Sequence, residues 1–240
     1  RPSFEFSSPP LAEVVRDINK FSNNVMAQQL FLTLGLQFKG IGSSDAARAV
    51  LGPWLRDQLG NRADDLAIVN GSGLSRESRA TADALALLLL RAWASPLMPE
   101  FVSSLPVGGV DGSLRRSAGM AAAAVAGRAH LKSGSLRDVT ALAGYLHASD
   151  GRRYVLVAIV NHPNASAART ALETLVAWVL TRHAPAAPRR WGTTGGARCP
   201  VAPGVPADVR PPGRRAVVRH LQPVPDPARR VVGEVGQHQA

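Results

Sequence analysis

Apolar residues recur at helical spacing through most of the first half of the chain. Leu11, Val14, Val15, Ile18 and Phe21 fall on one stripe, and Ser8 as N-cap with Pro9 at the first helical position marks the start. The stripe predicts a helix with one face on a core. A second apolar run, residues 25–36, follows almost at once, so the polar Ser22-Asn23-Asn24 occupies a junction between two helices. Ser43 or Ser44 caps a third helix that closes at Gly60-Asn61. Residues 66–69 read as a short buried strand entering the loop Asn70-Gly71-Ser72-Gly73-Leu74-Ser75-Arg76. Residues 81–93 then read as a strongly apolar helix, 99–104 as a short one, and 106–113 as a glycine-rich loop.

From about Arg128 the pattern changes to alternation. Residues 128–135, 139–148 and 153–161 predict three strands, the last two joined at the hairpin turn Asp150-Gly151. A last helix over 165–183 carries the stripe Ala168, Leu172, Leu175, Val176 and Val179. Helices, an antiparallel meander and a closing helix predict an α+β fold, with helices packed on an antiparallel sheet. Periodicity then collapses. Ten of the eighteen prolines lie from Pro185 onward, so residues 1–184 are expected to form the folded body and 185–240 a disordered Arg/Pro-rich tail with no packed element.

Composition adds exclusions. At 240 residues and 45% apolar content the chain can bury a core. Its longest apolar runs, Ala84 to Leu90 and Met120 to Ala126, are far shorter than the roughly 20 residues that cross a bilayer, so no transmembrane segment is expected. Residues 1–10 carry no readable secretory signal. The single cysteine, Cys199, excludes an internal disulfide. His130, His147, His162 and His183 lack metal-ligand spacing and read as surface or structural residues; no cofactor or metal is expected. The net charge of +11 suggests an acidic partner, but the tail holds nine arginines against Asp208, Asp226 and Glu234, which is six of those eleven charges. With Trp191 as its only stacking platform, the tail does not predict a nucleic-acid partner.

Two polar groups remain once the core stripes are assigned: Ser22-Asn23-Asn24 at the helix junction and Lys132-Ser133-Gly134 in the first strand of the meander. Residue types suggest chemistry. Lys132, one of three lysines, suits a carboxylate and eases proton transfer beside it. Ser133 can donate to the same carboxylate, and Gly134 lets a substrate backbone lie against the strand edge. Plainer roles are open too: Ser22 to Asn24 as a C-cap and N-cap between helices, Lys132 snorkelling from an edge strand, and Arg76 as a solvated loop arginine.

The order and setting of the two groups resemble the Ser-x-Asn and Lys-(Ser/Thr)-Gly motifs of penicillin-recognising enzymes. With Pro10 to Lys20, the 70–76 loop, Leu105-Pro106 and Asp111-Gly112-Ser113-Leu114, the chain is similar to the S13 peptidases over roughly residues 7–183. These are serine D-alanyl-D-alanine carboxypeptidases and endopeptidases of the low-molecular-weight penicillin-binding class. The resemblance implies part of a penicillin-binding, β-lactamase-like transpeptidase domain. It implies that Ser22 relays a proton toward the leaving amine and Asn24 bonds the substrate's amide carbonyl, with the terminal D-alanine carboxylate at Lys132 and Ser133. The backbone N–H of Ser135 would be one of two oxyanion donors, contributing about 3 kcal/mol. Arg76 would face the acidic third residue of the stem peptide. Implied partners are peptidoglycan stem peptides ending in D-Ala-D-Ala, and β-lactams; the implied location is the periplasm or cell envelope.

One motif is absent. The family acylates a serine in Ser-x-x-Lys, whereas Lys20, Lys39 and Lys132 follow Asp17, Leu36 and Ala129 by three. No nucleophile is assigned in this chain. In the family that motif lies upstream of Ser-x-Asn, so the expected piece begins after the nucleophile, with the N-terminal strands and nucleophile helix missing, and is inactive alone. A non-catalytic muropeptide-binding module is the alternative. The lysine-free tail has the composition of a GC-rich gene read out of frame.

Overall fold

The computed structural model describes residues 3–5, 7–181 and the backbone of 214–221. Helices α1 (Leu11–Phe21), α2 (Asn24–Lys39) and α3 (Ser44–Leu59) come first, then α4 (Ala82–Trp93), α5 (Met98–Ser104) and the single turn α6 (Ala118–Ala121). Strands β1 (Ala129–Leu136), β2 (Val139–His147) and β3 (Arg153–Asn161) form the antiparallel meander, and α7 (Ala168–Thr181) follows it. Three caps match local chemistry: the side chains of Asn23, Ser43 and Thr81 accept from Met26, Ala46 and Ala84 N–H groups, starting α2, α3 and α4.

The sheet separates two apolar layers. On one face Ala129, Leu131, Leu142, Leu146, Leu156, Ala158 and Val160 pack against Leu172, Val176, Val179 and Leu180 of α7. On the other, Tyr145, Val155 and Val157 meet Ala82, Ala86 and Leu89 of α4 and Val102 and Leu105 near α5. The buried Tyr145 hydroxyl donates to Leu89 O at 2.7 Å, and burial pushes its pKa well up. The arrangement is α+β, as the patterning predicts.

Four details differ from the sequence reading. Helix α1 starts at Leu11, with Pro10 as an N-cap that has no side-chain cap, because a residue preceding proline is pushed out of the α region and Pro9 precedes Pro10. Its stripe is only partly used: Leu11 and Phe21 are 62% and 68% exposed, while Lys20 is buried. Residues 66–69 make one isolated bridge, Ala67 to Arg79, rather than a strand. The tail contributes an element: β4 (Arg214–Leu221) pairs antiparallel with β3, giving the order β1-β2-β3-β4. Pro212 and Pro223 bracket a proline-free window holding Ala216-Val217-Val218, and pairing there satisfies the outer backbone groups of β3. The rest of the expected disordered tail lies outside the described residues.

Candidate active site

The geometry begins at the end of α1. Ser22 is its C-cap in the left-handed region, φ 53° and ψ 46°, an uncommon conformation for a side chain bearing Cβ. The surroundings fix it there. One turn earlier, Asn19 Nδ2 donates to Ser104 Oγ at 2.8 Å. The Lys20 ammonium, with its side chain 9% exposed, donates at 2.6 Å to both Leu105 O and Asp111 Oδ2. Asp111 Oδ1 accepts from Val107 N–H at 2.7 Å. Burial opposes ionisation of Asp111, but the hydrogen bonds from Lys20 and Val107 and the Lys20 charge outweigh it and hold its carboxyl below the usual range. Gly112, at φ +58°, completes the clasp: a Cβ there would stand 2.7 Å from Lys20 O.

Across the junction, Lys132 Nζ donates to Ser22 Oγ and, at 3.2 Å, to Ser133 O. Burial lowers the Lys132 pKa, which brings the amine nearer to exchanging a proton at neutral pH. Asn23, the middle residue of the triplet, is committed to capping α2. Asn24 opens α2 with its side chain exposed.

The outer edge of β1 is half covered. Gly108 N–H donates to Ala129 O at 2.8 Å and Leu131 N–H to Pro106 O at 3.0 Å, so the backbone groups of Ala129 and Leu131 point away from β2. Antiparallel pairing alternates by two residues, which turns the backbone groups of Ser133 and Ser135 to the same edge, past the end of that cover. Gly134 has open space: a Cβ there would meet only Ala141 Cβ, at 3.5 Å. Internal packing therefore does not require glycine. An open strand edge with a bare residue can add an extended peptide as a further strand.

Ser22, Asn24, Lys132, Ser133, Gly134 and Ser135 thus lie at or beside one junction, with Ser22 and Lys132 in contact. Arg76 stands apart from that pair, at the β1–β2 turn. Its Nη1 donates to Arg137 O at 3.0 Å and its Nη2 lies 3.7 Å from Asp138 Oδ2. Asn19, Lys20, Ser104 and Asp111 have no role legible from sequence pattern alone; the signal for Lys20 is that it is one of only three lysines and directly precedes the helix junction. His130 and His147 stack within the fold with ring centroids 5.1 Å apart, and His147 meets Trp93 edge-on. Burial lowers both imidazole pKa values, and among the described residues His130 Nδ1 and His147 Nε2 are buried without partners.

Solved structures share this architecture. Penicillin binding protein 4 (dacB) from Haemophilus influenzae, in complex with a β-lactam, superposes with a TM-score of 0.58 at 24% identity, covering 70% of this chain and 42% of that one. The Bd3459 predatory endopeptidase of Bdellovibrio bacteriovorus, acylated by penicillin G, gives 0.58 at 19% identity, covering 72% and 46%. The fold is therefore that of penicillin-binding peptidases. By sequence, the D-alanyl-D-alanine carboxypeptidase of Actinomadura sp. (strain R39) is 32% identical over 185 residues, 75% of this chain and 34% of that protein. Carboxypeptidase DacB of Mycolicibacterium smegmatis is 30% identical over 182 residues, covering 72% and 38%. The profile of the D-Ala-D-Ala carboxypeptidase 3 (S13) family matches residues 4–182, and the chain belongs to that family. It spans about a third of the length of these curated relatives.

Proposed function

We propose that the protein is a serine-type D-Ala-D-Ala carboxypeptidase or endopeptidase of the cell envelope, acting on peptidoglycan stem peptides through an acyl-enzyme and binding penicillin. In this reading residues 1–184 supply the proton relay and substrate cradle, and the acylated serine comes from a Ser-x-x-Lys that this chain does not contain. The observation that carries it is the Lys132 ammonium held on the Ser22 hydroxyl, joining two motifs 110 residues apart.

Acyl transfer requires a serine oxygen to bond the carbonyl carbon, the C–N bond to break, and the departing amine to gain a proton. Ser22 would pass that proton on, a role supported by its left-handed backbone and its hydrogen bond from Lys132. A substrate strand on the open edge of β1 would bring its carbonyl oxygen to the outward Ser135 N–H, one donor for the developing oxyanion. Asn24 would bond the amide carbonyl on the acyl side. Arg76 would face the acidic third residue of the stem peptide after releasing Arg137 O. The missing Ser-x-x-Lys favours a second reading for the chain by itself, a non-catalytic muropeptide-binding module.

Intact mass after incubation with a β-lactam tests the reading. The chain alone should stay unmodified, and the chain joined to a family Ser-x-x-Lys segment should gain the mass of one β-lactam. A stable acyl adduct on the chain alone would overturn the assignment.

A further inference from the structure

Two histidines outside the site motifs sit against the clasp that positions Ser22. His130 pairs with Tyr145 across β1 and β2, which makes His130 and His147 diagonal neighbours on the sheet face that meets α4 and α5. Their rings stack with centroids 5.1 Å apart and planes 26° from parallel. Trp93 of α4 meets His147 edge-on at 6.5 Å, and the Arg153 guanidinium lies over the Trp93 ring at 5.3 Å. His130 Nδ1 and His147 Nε2 are buried without a partner among the described residues. Planes so nearly parallel keep the two rings from sharing one metal ion at the usual distance of about 2 Å.

Neutral rings suit this place. A proton on one ring buries a cation beside the apolar layer of α4 and α5, and a proton on each sets like charges on rings 5.1 Å apart. Among the described groups that face the pair, Lys20 of α1 opposes charge on His130 and Arg153 of β3 opposes it on His147, while Asp111 and the Val102 backbone of α5 favour it on His130. The Tyr145 hydroxyl donates to Leu89 O, and Lys132 is a further ammonium on the same face of β1. Burial outweighs the favourable contacts and lowers both imidazole pKa values. The stabilisation that a neutral pair provides is complete above the ordinary histidine range and is lost as pH falls from there through the folded values.

His130 also reaches the clasp through its backbone. It bridges to Val107, whose N–H donates to Asp111 Oδ1 at 2.7 Å, and Asp111 Oδ2 accepts from the Lys20 ammonium, two residues before Ser22. We propose that His130 and His147 form an acid-released latch, in which His130 is a positioning residue acting on Ser22 through Val107, Asp111 and Lys20. Protonating the stack forces the rings apart, and the shift passes along these contacts to the junction of Ser22 with Lys132. No substrate is needed for this, so the latch stands or falls separately from the function proposed above.

Hydrogen exchange of the whole chain, corrected for the intrinsic rate at each pH, tests the latch at the Val107 and Leu131 amides, which donate to Asp111 Oδ1 and Pro106 O. Protection should fall about tenfold from about pH 7 to about pH 5.5, the effect of one excluded proton across about one pH unit, in a window above the aspartate range. The double variant His130→Phe, His147→Phe keeps two rings in the stack without a titrating nitrogen, and should hold protection within about twofold over that window. A fall of more than about twofold in the double variant, or of less than about twofold in the unaltered chain, overturns the latch. Should the double variant fail to fold, the unaltered chain decides: the ring-proton signals of His130 and His147 should titrate below the ordinary histidine range, and the Ser22 amide should shift with them. Rings that titrate in the ordinary range, or a Ser22 amide that stays in place, overturn the latch as well.

Discussion

Exchanging Lys132 for alanine, in a chain joined to a family Ser-x-x-Lys segment, should slow β-lactam acylation by at least about a hundredfold, the scale of losing one well-placed electrostatic donor. The ammonium sits between two acceptors, Ser22 Oγ and Ser133 O, and burial has already lowered its pKa. In the proposed reading truncation removes the positive charge offered to a substrate carboxylate, and it leaves Ser22, in its left-handed conformation, without the partner that orients its hydroxyl. Lys132→Arg should not restore the rate, because a planar fork cannot take the place of a compact ammonium in this half-buried position. Acylation rates followed by mass spectrometry check both variants, and a rate within threefold of the unaltered protein for Lys132→Ala would remove the residue from the chemistry.

Asp111→Ala should have the largest effect on stability, about 3 kcal/mol, near the lower end of the range for breaking a buried ion pair. The lower end applies because Asp111 keeps access to water, its side chain being 42% exposed. Lys20 does not: its ammonium would remain buried with Leu105 O as the remaining partner. Val107 N–H would also lose its acceptor. Chemical denaturation of the two proteins measures the difference. The pair has a pH signature as well. Because the folded-state pKa of Asp111 is lowered, its contribution is complete above the ordinary aspartate range and is lost as pH falls through the folded value. The gap between the parent and Asp111→Ala should therefore narrow in acid. Asp111 belongs to the clasp that positions Ser22, so the variant should also weaken binding at that junction.

The extent to which the sequence specified these features follows from how local each one is. The meander was legible because alternation over residues 128–161 and the Asp150-Gly151 turn are properties of neighbouring residues, and Gly151 does adopt a positive φ of 82°. The cap at Ser43 was legible for the same reason. The contact between Ser22 and Lys132 is not local, and only the ordered pair of motifs pointed to it. The Lys20–Asp111 clasp was hidden because it spans 91 residues and buries a lysine that amphipathic patterning assigns to solvent. Periodicity said that α1 has an apolar face; it did not say that Leu11 and Phe21 would stay outside. Strand β4 was missed because proline density over the whole tail masked one short window free of it, and because pairing partners for an edge strand are not written in that strand.

The distance from Arg76 to the Ser22–Lys132 pair has a physical source too. Its guanidinium bonds the backbone of the β1–β2 turn and lies near Asp138, itself at a positive φ of 65°. With its side chain 59% exposed, this pairing is weakly held, and an acidic ligand can compete for it.

Residues 22–24 and 132–135 are proposed to form one substrate site that recognises the stereochemistry of a D-Ala-D-Ala end. Backbone amide chemical shifts of the chain, recorded during titration with an N-acylated peptide ending in D-Ala-D-Ala and with its L-Ala-L-Ala counterpart, test this directly. The D,D peptide should move the amides of Ser22, Asn23 and Asn24 together with those of Ser133, Gly134 and Ser135, and the L,L peptide should leave them in place. Equal shifts with both peptides, or shifts confined to other parts of the sheet, would contradict the claim.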